Sequence, residues 1–317
     1  MGKFAIKIKI SIGDGPDQVI NPTNFFIHKL DSIFVQDYGI GIKLMNQEGN
    51  VYQNYKVGEV ITPTNDNKGL PAYFLATSSR PISFHKGKIY YPTTHIDITK
   101  PILGVYDIKK NELEEYFNFP IDEFDNLDFL FEHSYSMIFM DLDSNLGTLY
   151  FSFANRNEIY KSDLTNKSLS KIILKPDLNI DFSGHFNEIF SDLRELGFSE
   201  EAKKEGRRRV DIFEKNKSFS SIFACDSLIY RILIHGKKES NTNSFNIDLC
   251  DFEVFAYNYK GELLARNVFE NPHKDGSVFL VNRIENFIFK NDNMLYVGIL
   301  NQNQLEDELI YKSLILK

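Results

Sequence analysis

Tryptophan is absent from this chain, and cysteine occurs only twice, as Cys225 and Cys250. Both cysteines flank or lie in apolar segments of one repeat and read as buried free thiols, because a chain of 317 residues does not need a single bridge to hold it. No apolar run approaches the roughly 18 residues of a transmembrane helix. Basic residues are outnumbered, 36 Lys and Arg against 44 Asp and Glu, for a formal charge of −8. That balance gives no electrostatic reason to expect nucleic acid, whose binding depends on a basic surface. Catalytic signatures are also missing. The sequence has no Gly-x-Ser-x-Gly elbow, no P-loop and no Cys/His zinc array, and Gly39-Ile-Gly41 lacks a third glycine and a following helix. No cofactor is expected.

What the chain does have is phenylalanine and tyrosine, 28 and 16 of them, which suit the half-buried faces of sheets. They recur in a short phrase: Asp31-Ser-Ile-Phe-Val35, Gly87-Lys-Ile-Tyr-Tyr91, Gly147-Thr-Leu-Tyr-Phe151, Asp226-Ser-Leu-Ile-Tyr230 and Asn293-Met-Leu-Tyr-Val297. An apolar strand precedes each phrase, and further strands separated by polar turns follow it. Such a unit cannot bury its own apolar face, so copies must pack on one another. Four antiparallel strands per unit make a propeller blade. The reading is a single all-β propeller spanning 1–317, with repeats near 24–58, 80–120, 136–175, 218–268 and 284–317. The equivalent positions Ile33, Ile89, Leu149, Leu228 and Leu295 lie further apart than the roughly 40–50 residues of familiar blades, which leaves room for five or six blades.

Labelling the strands of a unit a to d, the a–b and c–d turns are short. The long connections are nearly all b–c or d–a, within 59–79, 92–101, 121–135, 176–217, 236–251 and 269–283. These two classes leave an up-and-down blade on the same side, so one face is trimmed and the other elaborated. Binding residues concentrate on loops carried by a rigid scaffold. The longest insertion breaks the β pattern, and Leu193, Leu196, Ala202 and Val210 with the start Ser199-Glu-Glu predict a helix near 186–212. The lysine-alternating segment 4–10 predicts a strand that pairs with the last unit and closes the ring. Its pattern lacks the apolar core of a signal peptide. The chain fits either a cytoplasmic protein or a mature form, periplasmic or at the cell surface, whose signal segment has been removed.

The stretch 139–160, with its apolar strand, its turn at Asp141 to Gly147 and the strand Gly147-Thr-Leu-Tyr-Phe151, resembles blades of the NHL and TolB-like propellers. The long blades and the Lys, Asn, Ile and Phe bias resemble uncharacterised propeller proteins of Bacteroidota, many of them exported lipoproteins. The resemblance implies a rigid recognition scaffold and brings no catalytic motif. No lipobox cysteine stands near residue 1.

Several residue groups invite a chemical reading. Asp141, Asp143 and Asn145 have the first half of a calcium-loop spacing, but Ser152 takes the place of the closing acid, so a turn is favoured over a cation site. His95 and Asp97 in a b–c loop combine imidazole and carboxylate, suitable for a metal or for proton transfer, or they are solvated loop residues. Asn155 and Arg156 sit at another b–c loop, contacting a ligand or fixing the loop. Arg207, Arg208 and Arg209 form a basic run for an anionic partner, or a solvated helix face. The expected function is non-enzymatic recognition of a protein or glycan, with Asp37, Tyr38, His95, Asp97, Asn155 and Arg156 as ligand candidates. The alternative is a propeller hydrolase or lyase acting on carbohydrate, its groups converging from several blades.

Overall fold

The computed structural model describes residues 8–20, 22–37, 41–57, 73–74, 81–94, 101–118, 138–176, 178, 180–182, 196, 199–225, 227–236, 250–271, 277–279, 281, 288–291, 294–301 and 309–314. These fall into two compact units, Met1–Phe119 and Pro120–Lys317.

The first unit holds two sheets. One is the meander β1 (Pro22–Lys29), β2 (Ser32–Asp37), β3 (Gly41–Met45) and β4 (Val51–Lys56). The other runs β5 (Tyr73–Phe74), β6 (Ser83–His85), β7 (Lys88–Thr94), β8 (Pro101–Asp107) and β9 (Glu112–Asn118). Here β5 and β6 share one edge of β7, so the blade's first strand is built from two pieces. Between the two sheets pack Phe34, Ile42, Tyr55, Ile89, Tyr91 and Tyr106. Tyr91 donates from its hydroxyl to the Val57 carbonyl at 2.6 Å, so the buried ring keeps its polar tip paired. Gly104 lies beneath that ring, where a Cβ would come within 2.3 Å of it.

The predicted ring-closing strand falls partly outside the described residues, since 4–7 are not among them. Residues 8–10 form no strand. Ile8 and Ile10 pack instead on Val19, Ile33, Val35, Met45 and Val51, on the other face of the first sheet. Their alternation serves a packing face here, and no ladder.

The second unit holds three sheets and a helix. Its first sheet is β10 (Ile138–Asp143), β11 (Thr148–Phe153), β12 (Ile159–Asp163) and β13 (Ser168–Ile172). Helix α1 (Glu200–Lys215) leads into the next sheet, β14 (Ser218–Cys225), β15 (Leu228–Ile234), β16 (Phe252–Asn258) and β17 (Leu263–Phe269). The last comprises β18 (Ser277–Phe279), β19 (Ile288–Asn291), β20 (Met294–Asn301) and β21 (Leu309–Leu314). As in the second sheet, two pieces, β18 and β19, share one edge of the next strand. Burial falls outward: β10 is buried throughout, whereas β17 alternates half-buried and exposed residues. Phe139, Phe219, Leu233, Phe255 and Tyr257 fill the seam between the third and fourth sheets, and Phe252, Val254, Ile288 and Val297 the next.

Five consecutive sheets of this pattern make an all-β five-bladed propeller. The helix is capped by Ser199, which accepts from the Ala202 N–H at 3.1 Å, as the Ser199-Glu-Glu start predicts. It runs to Lys215, past the expected end, and its buried side differs from expectation: Arg209 and Phe213 turn inward while Val210 is exposed.

Turn chemistry explains why the c–d ends are short. Asn46, Asp107, Asp163 and Asn258 each close their c–d turn by accepting two backbone N–H bonds, as Asp163 does from Thr165 at 2.8 Å and Asn166 at 3.4 Å. A residue in the left-handed region follows in every case: Gly49, Asn111, Lys167 and Gly261. The opposite ends of the sheets carry the connections 38–40, 95–100, 154–158, 235–251 and 302–308 and the d–a segments.

Candidate functional site

Among the described residues, a set of buried polar groups lies at a loop-bearing end where the third and fourth sheets meet. Its centre is Arg231, on β15 in the otherwise apolar Leu228–Ile234. Its guanidinium is fully buried, stacked 3.3 Å over the Phe219 ring. Nε donates to Ser152 Oγ at 2.7 Å, Nη1 to the Asn157 carbonyl at 2.6 Å, and Nη2 to the Phe153 carbonyl at 3.3 Å and to that of Arg156. Burial among neutral oxygens pulls its pKa down to about 9, against the pull of Tyr257, Glu158 and Tyr160. One side chain of the fourth sheet thus grips the b–c loop of the third. The Phe219 N–H adds a bond to the Ala154 carbonyl at 2.6 Å.

Asn155 and Arg156 lie inside this grip. The Asn155 side chain is 2% exposed, and Arg156 has its Nε 4.0 Å from Glu158. These two candidates are neighbours in the chain, and Arg231, which the sequence reading does not single out, holds the loop that carries them.

A second cluster closes the same end of the fourth sheet. Glu253 is buried, with His235 Nε2 2.7 Å from Oε1 and Arg266 Nε 2.7 Å from Oε2. Burial alone would raise this carboxyl, yet hydrogen bonds and charge from His235 and Arg266 hold it near 2. A depressed carboxylate stabilises the fold above its unfolded value, here 4.5, and the contribution disappears as pH falls through about 2. Glu253→Gln is therefore expected to cost about 3 kcal/mol at neutral pH. The gap from wild type should close on acidification through that window, as read by denaturant unfolding at stepped pH.

Other candidates are engaged elsewhere. Asp37 is buried against Lys43 Nζ at 3.4 Å and accepts the Ile20 N–H at 2.9 Å, tying the 18–20 segment to the first sheet. Tyr38, His95 and Asp97 lie outside the described residues. Asp143 closes its turn by accepting from Asn145 and Leu146 and also accepts the Tyr259 hydroxyl. Asp141 accepts the Ala224 N–H at 2.7 Å and pairs with Lys290, which donates to the Ala224 carbonyl at 2.8 Å. Burial raises the Asp141 carboxyl despite Lys290. Oxygens so occupied by donors form a turn and a seam between inner strands. Among the described residues no three His, Cys, Asp or Glu side chains stand where they would hold a metal. The basic run divides: Arg207 is exposed, Arg208 bonds both oxygens of Glu205 at 2.9 and 3.0 Å, and Arg209 is buried 3.4 Å from Glu205.

Fold and loop ends together define a propeller that carries its elaborated connections at the b–c and d–a ends of its blades. No family model matches the chain, and none of the curated proteins does. Among solved structures it is similar to a member of the DUF4221 family from Bacteroides vulgatus, at 15% identity and a TM-score of 0.69 over 98% of this chain and 82% of that one. An auxiliary nutrient binding protein from Bacteroides thetaiotaomicron aligns at 9% identity and a TM-score of 0.43, over 93% of this chain and 57% of its own. A putative glycoside hydrolase from Parabacteroides distasonis does so at 10% and 0.40, over 89% and 83%. No helix among the described residues is long and apolar enough to cross a membrane.

Proposed function

We propose that the protein is a non-enzymatic recognition scaffold that binds a protein or a glycan through the b–c and d–a loops of its blades, with Asn155 and Arg156 among the contacts. One observation supports this most. Among the described residues no carboxylate is in hydrogen-bond contact with the buried Arg231, and its four bonds go to the b–c loop and the strand end beside it. Burying a cation this way is costly, and the return is a loop held in one conformation before any ligand arrives.

The test uses an immobilised glycan panel and two variants. One replaces 237–249 by a short Gly-Ser turn, and the other changes the c–d turn at Thr165 and Asn166. Signal lost in the first and kept in the second supports the reading; equal loss in both contradicts it.

One arrangement favours the alternative hydrolase or lyase, the imidazole of His235 held by a buried carboxylate at 2.7 Å. Turnover of a panel glycan that disappears in His235→Gln would put the enzyme first.

A further inference from the structure

Strand β17 is the outer strand of the fourth sheet, and among the described residues its one strand neighbour is β16. The start of its outer edge already takes up another stretch of chain. The Lys175 N–H donates to the Gly261 carbonyl at 2.8 Å, and the Leu263 N–H to the Lys175 carbonyl at 2.7 Å, forming a parallel bridge. Gly261 makes room for it, since its φ is +85° and a Cβ there would come within 2.3 Å of the Ile173 carbonyl oxygen. Pro176 comes next and has no N–H with which to extend the ladder. The bulge in β17 lies at this end, opposite Tyr257, and Ala265–Phe269 run on in regular register.

Along that run the side chains of Leu264, Arg266 and Val268 share one face, with Leu264 58% and Val268 57% exposed. Among the described residues the outer strands β4, β9 and β21 each expose one large hydrophobic side chain, Tyr52, Leu113 and Tyr311. Natural edges are guarded by lysine, proline or short length. The seven residues of β17 include no lysine and no proline. Its one charge, Arg266, is tied across the sheet, with Nε 2.7 Å from the buried Glu253.

We infer that the outer edge of β17 binds an extended peptide by strand addition, one with apolar, acidic and apolar side chains at alternate positions. Main-chain hydrogen bonds give affinity in this mode, and alternate side chains give specificity. The apolar positions cover Leu264 and Val268. The acid stands by Arg266, whose side chain is 49% exposed. Facing residues of opposite charge stabilise a sheet, and like charges destabilise it. The same rule disfavours a second copy of this chain, because antiparallel pairing of two β17 strands about their centres sets Arg266 against Arg266.

The experiment adds the end-blocked peptide Thr-Val-Thr-Glu-Thr-Val-Thr at millimolar concentration to the ¹⁵N-labelled full chain and follows the backbone amides. One control peptide has Lys for Glu, and another has Pro for both inner Thr and so lacks their donors. The expected result is a saturable shift within 263–269, about tenfold weaker with the Lys peptide and absent with the Pro peptide. Val268→Glu should weaken binding about tenfold or more, because it sets a charge in the apolar contact and near the peptide's acid. Its melting temperature should stay within about 2 °C of wild type, since the side chain is exposed. Leu264→Glu, at the other exposed position, gives the same readout if Val268→Glu folds poorly. No shift with the Glu peptide, shifts confined to residues outside β17, or equal binding of the Glu and Lys peptides would overturn the inference. So would a dimer in sedimentation that Val268→Glu disperses, which makes the occupant a second copy. Each of these failures leaves the loop reading standing, since that is read by glycan binding and the 237–249 replacement.

Discussion

Arg231→Met is expected to destabilise the second unit by about 4 kcal/mol. Methionine fills much of the volume and keeps contact with Phe219, so the loss is not one of packing. It removes the donor to the buried Ser152 hydroxyl and Phe153 carbonyl and to the part-buried carbonyls of Arg156 and Asn157. At roughly 1–3 kcal/mol for each hydrogen bond lost at a buried or part-buried site, the combined cost exceeds the relief of no longer desolvating a guanidinium. Lysine is no substitute, because one ammonium cannot span four acceptors arranged for a planar fork. Arg231→Lys should therefore recover less than half. Urea unfolding checks the size. At about 2–4 °C per kcal/mol for a unit of this length, the melting temperature should fall by about 10 °C. A loss below about 1 kcal/mol would mean that the loop reorganises freely and is not held by this residue.

Lys290→Met is expected to cost about 3 kcal/mol, more than Asp141→Asn. The two residues stand on the inner strands β19 and β10, and Ala224 on β14 between them bonds both through its N–H and carbonyl. Removing the ammonium leaves a buried carboxyl facing only the backbone N–H groups of Ala224 and Leu142. Removing the carboxylate charge leaves a lysine whose side chain is 30% exposed and can reach water. Burial already lifts the Asp141 pKa above its ordinary 3.8, and losing Lys290 lifts it further. With the folded value above the unfolded one, the penalty is full above the folded pKa. It shrinks as pH falls through the folded pKa and is gone below 3.8, where the carboxyl is protonated in the folded and the unfolded chain alike. Unfolding free energies of the two single variants and the double variant, at neutral and acidic pH, give the coupling directly. Equal costs for the two single variants, with no pH dependence, would contradict this account.

The repeats were legible because what specifies them is local. Alternating strands and turn residues such as Asp163 or Gly261 announce a hairpin within a few positions. The helix start at Ser199 was legible for the same reason. Its buried side was not, since Arg209 looks like part of a basic run and turns inward only beside Glu205 and the apolar seam. The candidate site was half visible. Asn155 and Arg156 sit in a loop whose position follows from the strand pattern. Arg231 binds that loop from more than seventy positions away, a distance no local motif spans. The available signal was a charge inside an apolar strand: Arg231 within Leu228–Ile234 and Glu253 within Phe252–Asn258. A charge kept in such a run needs a buried partner and marks a seam where sheets meet.

Recognition is proposed to belong to the b–c and d–a ends of the blades. Amide hydrogen exchange of the full chain, with and without a glycan that binds it, tests this most directly. The account predicts added protection at 154–158 and none at the turns 144–147 and 164–167. Protection concentrated at those turns, with 154–158 unchanged, would contradict it.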